Sequence, residues 1–132
     1  LSTSLTGLAR AFSRLASATD GPAARVGAAI RAYPEFVSGS RRDERVLHGA
    51  VPGLVGKFGA EAVYAVGLPD GRAWALKIDD GADRARPVVM AAALERSGLL
   101  DEEGVDAEVV RSGGRLDLLG GGVVVGEFRT VF

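Results

Sequence analysis

Apolar residues recur at helical spacing through the first part of the chain, with polar residues on the opposite side. The first apolar stripe consists of Leu5, Leu8, Phe12, Leu15 and Ala16. It predicts an amphipathic helix capped by Ser4 or Thr6. A second helix is predicted from Pro22 to the residue before Pro34, because proline suits a first helical turn and disfavours helix just before itself. Residues 36–40 indicate a loop, and a short helix is predicted at 43–48.

From residue 60 the pattern alternates with a period of two, which is typical of strands. Residues 60–67 and 72–78 predict two strands joined by the tight turn Leu68-Pro69-Asp70-Gly71. In that turn proline presets one φ and glycine accepts a positive φ. A helix is predicted from Pro87 to a cap at Gly98. Three short strands are then predicted at 105–111, 115–119 and 123–131.

This order of elements indicates the fold class. Strands joined by short turns pair antiparallel, so we predict an α+β (α/β mixed) fold with helices packed on an antiparallel sheet, not a parallel doubly wound fold. The 132 residues suffice for one domain with a modest core.

Composition excludes several classes of function. The chain has 16 basic and 17 acidic residues and a net charge of −1, so it has no basic excess for binding nucleic acid. No apolar run approaches the roughly 18 residues of a membrane span. The absence of Cys removes thiol nucleophiles and Cys-based metal sites from this stretch and fits a cytoplasmic protein. The one His, His48, is expected at a helix end or on the surface.

Two further motifs are better explained as turns than as sites. Asp80, Gly81 and Asp83 lack the spacing of an EF-hand calcium loop and indicate a turn before the next helix. The glycines of residues 120–126 indicate hairpin connections, because a dinucleotide-binding glycine motif is followed by a helix. No metal site is therefore predicted within the chain.

Only two of the 16 basic residues are lysines, Lys57 and Lys77. Lys57 lies in the run Val55-Gly56-Lys57-Phe58-Gly59-Ala60-Glu61, where glycines allow a ligand to approach the backbone closely. Such a lysine can lie at the edge of a cleft or be solvated at the start of a strand, and spacing alone favours the solvated lysine. Lys77 shares its strand face with Ala73 and Ala75, which suits packing against a helix.

The segments around both lysines resemble the bacterial L-asparaginase II family (Rhizobium-type). The specific matches are the run of residues 56–64, Leu76-Lys77-Ile78-Asp79-Asp80-Gly81 and Arg84-Ala85. Residues 5–12, 36–39 and 122–126 are compatible with the same family, so the resemblance covers nearly the whole chain in order. It implies part of a fold similar to serine β-lactamases and glutaminases, and an enzyme that hydrolyses L-asparagine to L-aspartate and ammonia.

The family's nucleophile is a Ser in a Ser-x-x-Lys motif, in which Lys on the next helical turn accepts the Ser proton. Here Leu54 stands three residues before Lys57, and Trp74 three before Lys77. The resemblance therefore implies that residues 1–132, which open with Leu1 and not Met, are one C-terminal segment of a larger catalytic domain. The nucleophile and the family's zinc-binding cysteines are expected upstream, and no cofactor is expected within this chain.

Lys57-Phe58-Gly59 matches the Lys-Ser/Thr-Gly strand motif of the wider fold, which implies a catalytic role for Lys57. Its charge would favour the ionised Ser and keep the Ser-x-x-Lys amine neutral, or hold the substrate carboxylate. Gly59 and Glu61 are implied to line the substrate pocket. If alternation continues, Glu61 shares the face of Lys57 and pairs with a substrate ammonium or forms a structural salt bridge.

Two residues depart from the pattern and support a second hypothesis. Phe58 lacks the hydroxyl of the wider fold, and Ala62 stands where the family often has Gly, which crowds the backbone. A family member that has lost catalysis and serves as a binding or assembly module would tolerate both changes. The apolar helix stripes also need a partner surface, so a homo-oligomer is expected. A Ser-x-x-Lys motif upstream would favour the enzyme, with L-asparagine as its small-molecule substrate.

Overall fold

The fold is built around a three-stranded antiparallel sheet in the order β1-β2-β3. It comes from a computed structural model, which describes residues 2–132. The helices and strands are, in chain order, α1 (Leu5–Ser17), α2 (Gly21–Ala32), α3 (Pro34–Ser38), α4 (Asp43–Ala50), β1 (Val55–Gly59), β2 (Val63–Gly67), β3 (Ala73–Lys77), α5 (Arg86–Arg96), α6 (Ala107–Gly113), β4 (Asp117–Gly120) and β5 (Val123–Glu127). The predicted α+β fold class is confirmed.

One face of the sheet holds the main core. Tyr64 pairs with Leu76 and Val66 with Trp74 in the β2–β3 register, so these side chains point to the same side. They pack with buried residues from three helices, namely Leu47 and Ala50 of α4, Met90, Ala91 and Leu94 of α5, and Val110 of α6. The helices after the hairpin and the helix before it therefore share one core on this face.

The opposite face of the sheet carries small residues, and α1 lies directly on it. Ala65 pairs with Ala75 there, and a Cβ added to Gly67 would lie 2.4 Å from the backbone oxygen of Phe12. Ser13 of α1 donates a hydrogen bond of 2.7 Å to the carbonyl of Gly71. Small side chains on this face thus set how closely α1 approaches the sheet.

The β2–β3 connection forms as predicted. Leu68 N–H donates to the carbonyl of Arg72 at 2.9 Å, and Gly71 N–H donates to that of Leu68 at 3.0 Å. Gly71 adopts a φ of 94°, which a residue with a side chain rarely does. The predicted cap at Gly98 is also confirmed, with a φ of 79° after α5.

Two predictions in the remaining segments are wrong. Residues 105–111 were expected as a strand, but most of them lie in α6, which begins where the side chain of Asp106 accepts from Val109 N–H at 3.1 Å. An N-cap interaction of this kind outweighs the β propensity of valines. Residues 36–40 were expected as a loop, yet the first three continue the helical turn that Pro34 opens. The other two predicted tail strands form β4 and β5.

The strand predicted at residues 60–67 is interrupted at its start. Residues Ala60–Ala62 form a short 3₁₀ turn between β1 and β2. Within it Glu61 and Ala62 have φ values of 55° and 54°, in the left-handed region that favours glycine. Ala62 is fully buried as well, so the crowding expected from the loss of Gly at this position takes the form of backbone strain.

Among residues 2–132, no helix combines the length and the apolar character needed to cross a membrane.

We expect Ala62→Gly to raise the free energy of unfolding by about 0.5–1 kcal/mol. Relief of the left-handed strain outweighs the greater chain entropy of glycine in the unfolded state. Ala60→Gly is the matched control, since Ala60 lies in the same turn without a positive φ and should lose stability. Urea unfolding of both variants measures the difference. Destabilisation of the same size in both would contradict strain at Ala62.

Candidate active site

The open edge of β1 is covered by α4. Gly56 N–H donates to His48 Nε2 at 3.0 Å, and Phe58 N–H donates to Glu44 Oε2 at 3.2 Å. Two residues along a strand and four along a helix both span about 6–6.6 Å. One turn of α4 therefore supplies acceptors to two successive outward-facing N–H groups of β1.

Glu44 brings a buried carboxylate to this edge. It is 0% exposed, and Lys57 Nζ lies 3.2 Å and 3.4 Å from its two oxygens. A buried carboxylate without a cation is strongly destabilising, so Lys57 is held against Glu44. The side chain of Lys57 is nevertheless 44% exposed. Its ammonium therefore has one fixed partner and one side open to a ligand.

His48 is a neutral acceptor in this arrangement. Burial, and then the charge of Lys57, lower the pKa of His48 from 6.5 to about 4. Protonation at Nε2 would also replace an acceptor with a donor opposite Gly56 N–H. His48 does lie in the last turn of α4, as expected, but it is part of the covered sheet edge rather than a free surface residue.

The ring of Phe58 is surrounded by three cations. Lys57 Nζ lies 4.1 Å from the ring centroid, and Cζ of Arg86 and Arg42 lie 4.1 Å and 4.5 Å from it. The negative face of an aromatic ring attracts such groups, and arginine stacks on it well. The ring of Phe58 is therefore a platform for positive charge.

Arg86 joins three elements beneath this platform. Its guanidinium is almost fully buried, and it bonds Asp43 at 2.7 Å and Asp83 at 2.8 Å. It also lies 5.6 Å from the ring of Tyr64, whose buried hydroxyl has its pKa raised, first by burial and then by the nearby carboxylates. Arg86 thus ties α4 and the turn before α5 to the sheet.

The two predicted pocket residues, Gly59 and Glu61, lie at the end of β1 and just beyond it. Gly59 is the last residue of β1 and is exposed. Glu61 lies in the 3₁₀ turn beyond it, so the expectation that it shares the strand face of Lys57 is wrong. The left-handed backbone there redirects the chain and brings Glu61 beside the glycine of the Asp80-Gly81 turn, where a Cβ on Gly81 would lie 3.5 Å from the Cβ of Glu61.

Residues 2–132 bring together no group of three His, Asp or Glu side chains that could hold a metal ion. The sequence also contains no Cys.

Sequence reasoning singled out Lys57 as a candidate but not the side chains that surround it. Glu44 and Arg42 are 13 and 15 positions away, and no local spacing shows that α4 packs on the edge of β1. The available signal was the pair of acceptor residues, Glu44 and His48, one helical turn apart in the predicted short helix. Their partners are backbone N–H groups. Since every residue except proline has one, the sequence does not show which of them an acceptor will meet.

A sequence model of the family described as L-asparaginase II matches residues 1–130. The match covers both the sheet edge that holds Lys57 and the helices packed on either face. Comparison with curated proteins gives no significant match.

Lowering the pH should destabilise the fold through His48. The unfolded His48 binds a proton near pH 6.5 and the folded one only near pH 4. Between these values the unfolded state holds more protons, so the free energy of unfolding falls as the pH is lowered from 6.5 to 4. His48→Gln keeps an acceptor for Gly56 N–H without titrating. In urea unfolding from pH 4 to 7.5, wild type should lose more stability than this variant, whereas parallel curves would contradict the assignment.

Proposed function

The chain belongs to the L-asparaginase II family, and from this membership we propose that the complete protein is an amidohydrolase that converts L-asparagine into L-aspartate and ammonia. The observation that carries the proposal is the ammonium of Lys57, fixed by a buried carboxylate at one side and open at the other. A preorganised charge at a site partly screened from water stabilises developing negative charge in a transition state. The complete fold is proposed to be similar to serine β-lactamases and glutaminases.

In the proposed reaction a Ser from a Ser-x-x-Lys motif outside this chain attacks the side-chain amide carbon of L-asparagine. The Lys of that motif accepts the Ser proton and passes it to the departing ammonia, and water then hydrolyses the acyl-enzyme to L-aspartate. Lys57 contributes a fixed positive charge that favours the ionised Ser and keeps the neighbouring Lys amine neutral by repulsion. Its contact with Glu44 keeps that charge in place throughout.

Gly59 and Glu61 are proposed to line the pocket at the end of β1. Gly59 presents no side chain there, so a substrate can approach the backbone. The carboxylate of Glu61 has no ion pair among residues 2–132 and suits the α-ammonium of an amino acid. Any zinc is proposed to take its ligands from outside these residues, and no step above uses one. The lack of Cys supports a cytoplasmic location.

An assembly role is the second candidate, and one surface favours it. The side chains of Val26, Ala29, Ile30, Tyr33, Phe36 and Val37 line an open apolar groove on α2 and α3. Phe36 is 85% exposed and Tyr33 58% exposed. Patches of this kind often mark contacts with another protein surface, which also supports the proposed homo-oligomer. Activity of the complete protein separates this candidate from the enzyme.

Lys57→Met should reduce turnover of the complete protein by about a hundredfold to a thousandfold, the usual effect of losing one preorganised charge. Lys77→Met is the matched control. Lys77 is exposed and, among residues 2–132, bonds only the carbonyl of Ile78. Its variant should give near-normal turnover per folded molecule. Steady-state kinetics corrected for folded fraction measures both.

Because Lys57→Met leaves Glu44 buried without its cation, the double variant Lys57→Met with Glu44→Gln serves as a second control. It removes both charges while keeping an acceptor for Phe58 N–H, so it should fold better than the single variant and show the same loss of turnover. Near-normal turnover in the double variant would show that Lys57 has no catalytic role.

The 132-residue chain alone should release no ammonia from L-asparagine, because neither lysine stands three residues after a Ser. Purified chain and its Lys57→Met variant are compared in a coupled ammonia assay. Hydrolysis by the chain that disappears in the variant would mean that the nucleophile lies within these residues.

A further inference from the structure

We propose that Arg42 is the residue that binds the α-carboxylate of the substrate, a deepening that rests on the proposed amidohydrolase function. Three cations surround Phe58, and two of them already have carboxylates. Lys57 is paired with Glu44, and Arg86 with both Asp43 and Asp83. Within residues 2–132, the guanidinium of Arg42 contacts the Phe58 ring and no carboxylate.

Lys57 is the obvious competitor for the same role, and burial decides against it. If Lys57 turned to a substrate carboxylate, it would weaken its contact with Glu44, which is 0% exposed. Leaving a buried charge without its partner costs more than a new ion pair at a half-exposed site supplies. Lys57 therefore keeps Glu44 and acts on the reacting end of the substrate.

Arg42, unlike Lys57, has no carboxylate partner within residues 2–132. It is the residue just before α4 and is exposed, so its side chain is accessible to a ligand. Stacking on Phe58 already restricts the guanidinium of Arg42. The side chain therefore loses less conformational freedom when a ligand binds. A planar guanidinium also matches a carboxylate with two parallel hydrogen bonds, a geometry that an ammonium does not offer.

The two cations lie beside the same aromatic ring, which brings them within reach of one small ligand. Lys57 Nζ lies 4.1 Å and Arg42 Cζ 4.5 Å from the same ring centroid, so the two atoms are at most 8.6 Å apart, the sum of those distances. In the proposed complex one asparagine meets both cations, one at each end. Its α-carboxylate then lies at Arg42 and its side-chain amide towards Lys57.

The test uses the complete protein with two substrates, L-asparagine and its α-amide, which keeps the reacting side chain but lacks the carboxylate. Product formation is followed by chromatography of aspartate or its α-amide. Arg42→Met should raise KM for L-asparagine about tenfold to a hundredfold with little change in kcat, the usual effect of losing one charged bidentate contact. It should leave kcat/KM for the α-amide unchanged.

Two further variants sharpen the result. Arg42→Lys keeps the charge but loses the planar fork, so its KM for L-asparagine should fall between wild type and Arg42→Met. Arg41→Met removes the adjacent exposed arginine, which within residues 2–132 does not stack on Phe58, and should match wild type. Equal effects of Arg42→Met on both substrates, or no effect on either, would overturn the assignment of Arg42 while leaving the amidohydrolase intact. Failure of wild type to hydrolyse either substrate would instead refute the proposed function, and the role of Arg42 with it.

Discussion

The backbone N–H groups along the open edge of β1 need acceptors, and the arrangement of the site follows from how α4 supplies them. An unpaired buried N–H costs about as much as a lost hydrogen bond, and a bare sheet edge invites pairing with another chain. Glu44 and His48 accept from Phe58 and Gly56 because one helical turn and two strand residues have nearly the same length. This match fixes the position of α4 beside the sheet.

One of those acceptors, Glu44, is a carboxylate, and this has an electrostatic consequence. Glu44 is fully buried, so it requires a cation, and Lys57 on the same strand supplies it. The neighbouring acceptor must stay neutral beside that cation, which His48 achieves because burial and Lys57 lower its pKa to about 4. The ammonium of Lys57 is therefore positioned by the need to cover a sheet edge, not by contacts made for a ligand.

The sequence predicts the parts of this structure that depend on local spacing. The hairpin with its Leu68–Gly71 turn, helices α1 and α2 and the cap at Gly98 follow from periodicity and turn chemistry. Residues 105–111 were assigned wrongly because the side-chain cap at Asp106 starts a helix, although the valines of this segment favour a strand. The displacement of Glu61 from the strand was missed because it depends on two consecutive left-handed residues, which nothing in Ala60-Glu61-Ala62 indicates.

Phe58 and Ala62 were the two reasons to suspect that catalysis had been lost, and the structure gives them different consequences. Ala62 imposes a local cost in backbone strain at the far end of the turn, away from the contact between Lys57 and Glu44. Phe58 loses a hydroxyl but gathers Lys57, Arg42 and Arg86 around one ring. A motif that bound an anion through a hydroxyl beside lysine would thereby bind it through an arginine stacked on an aromatic ring. In the proposed enzyme the substitution would change which group meets the anion. It leaves the positive character of the strand edge intact, so it does not by itself favour a non-catalytic module.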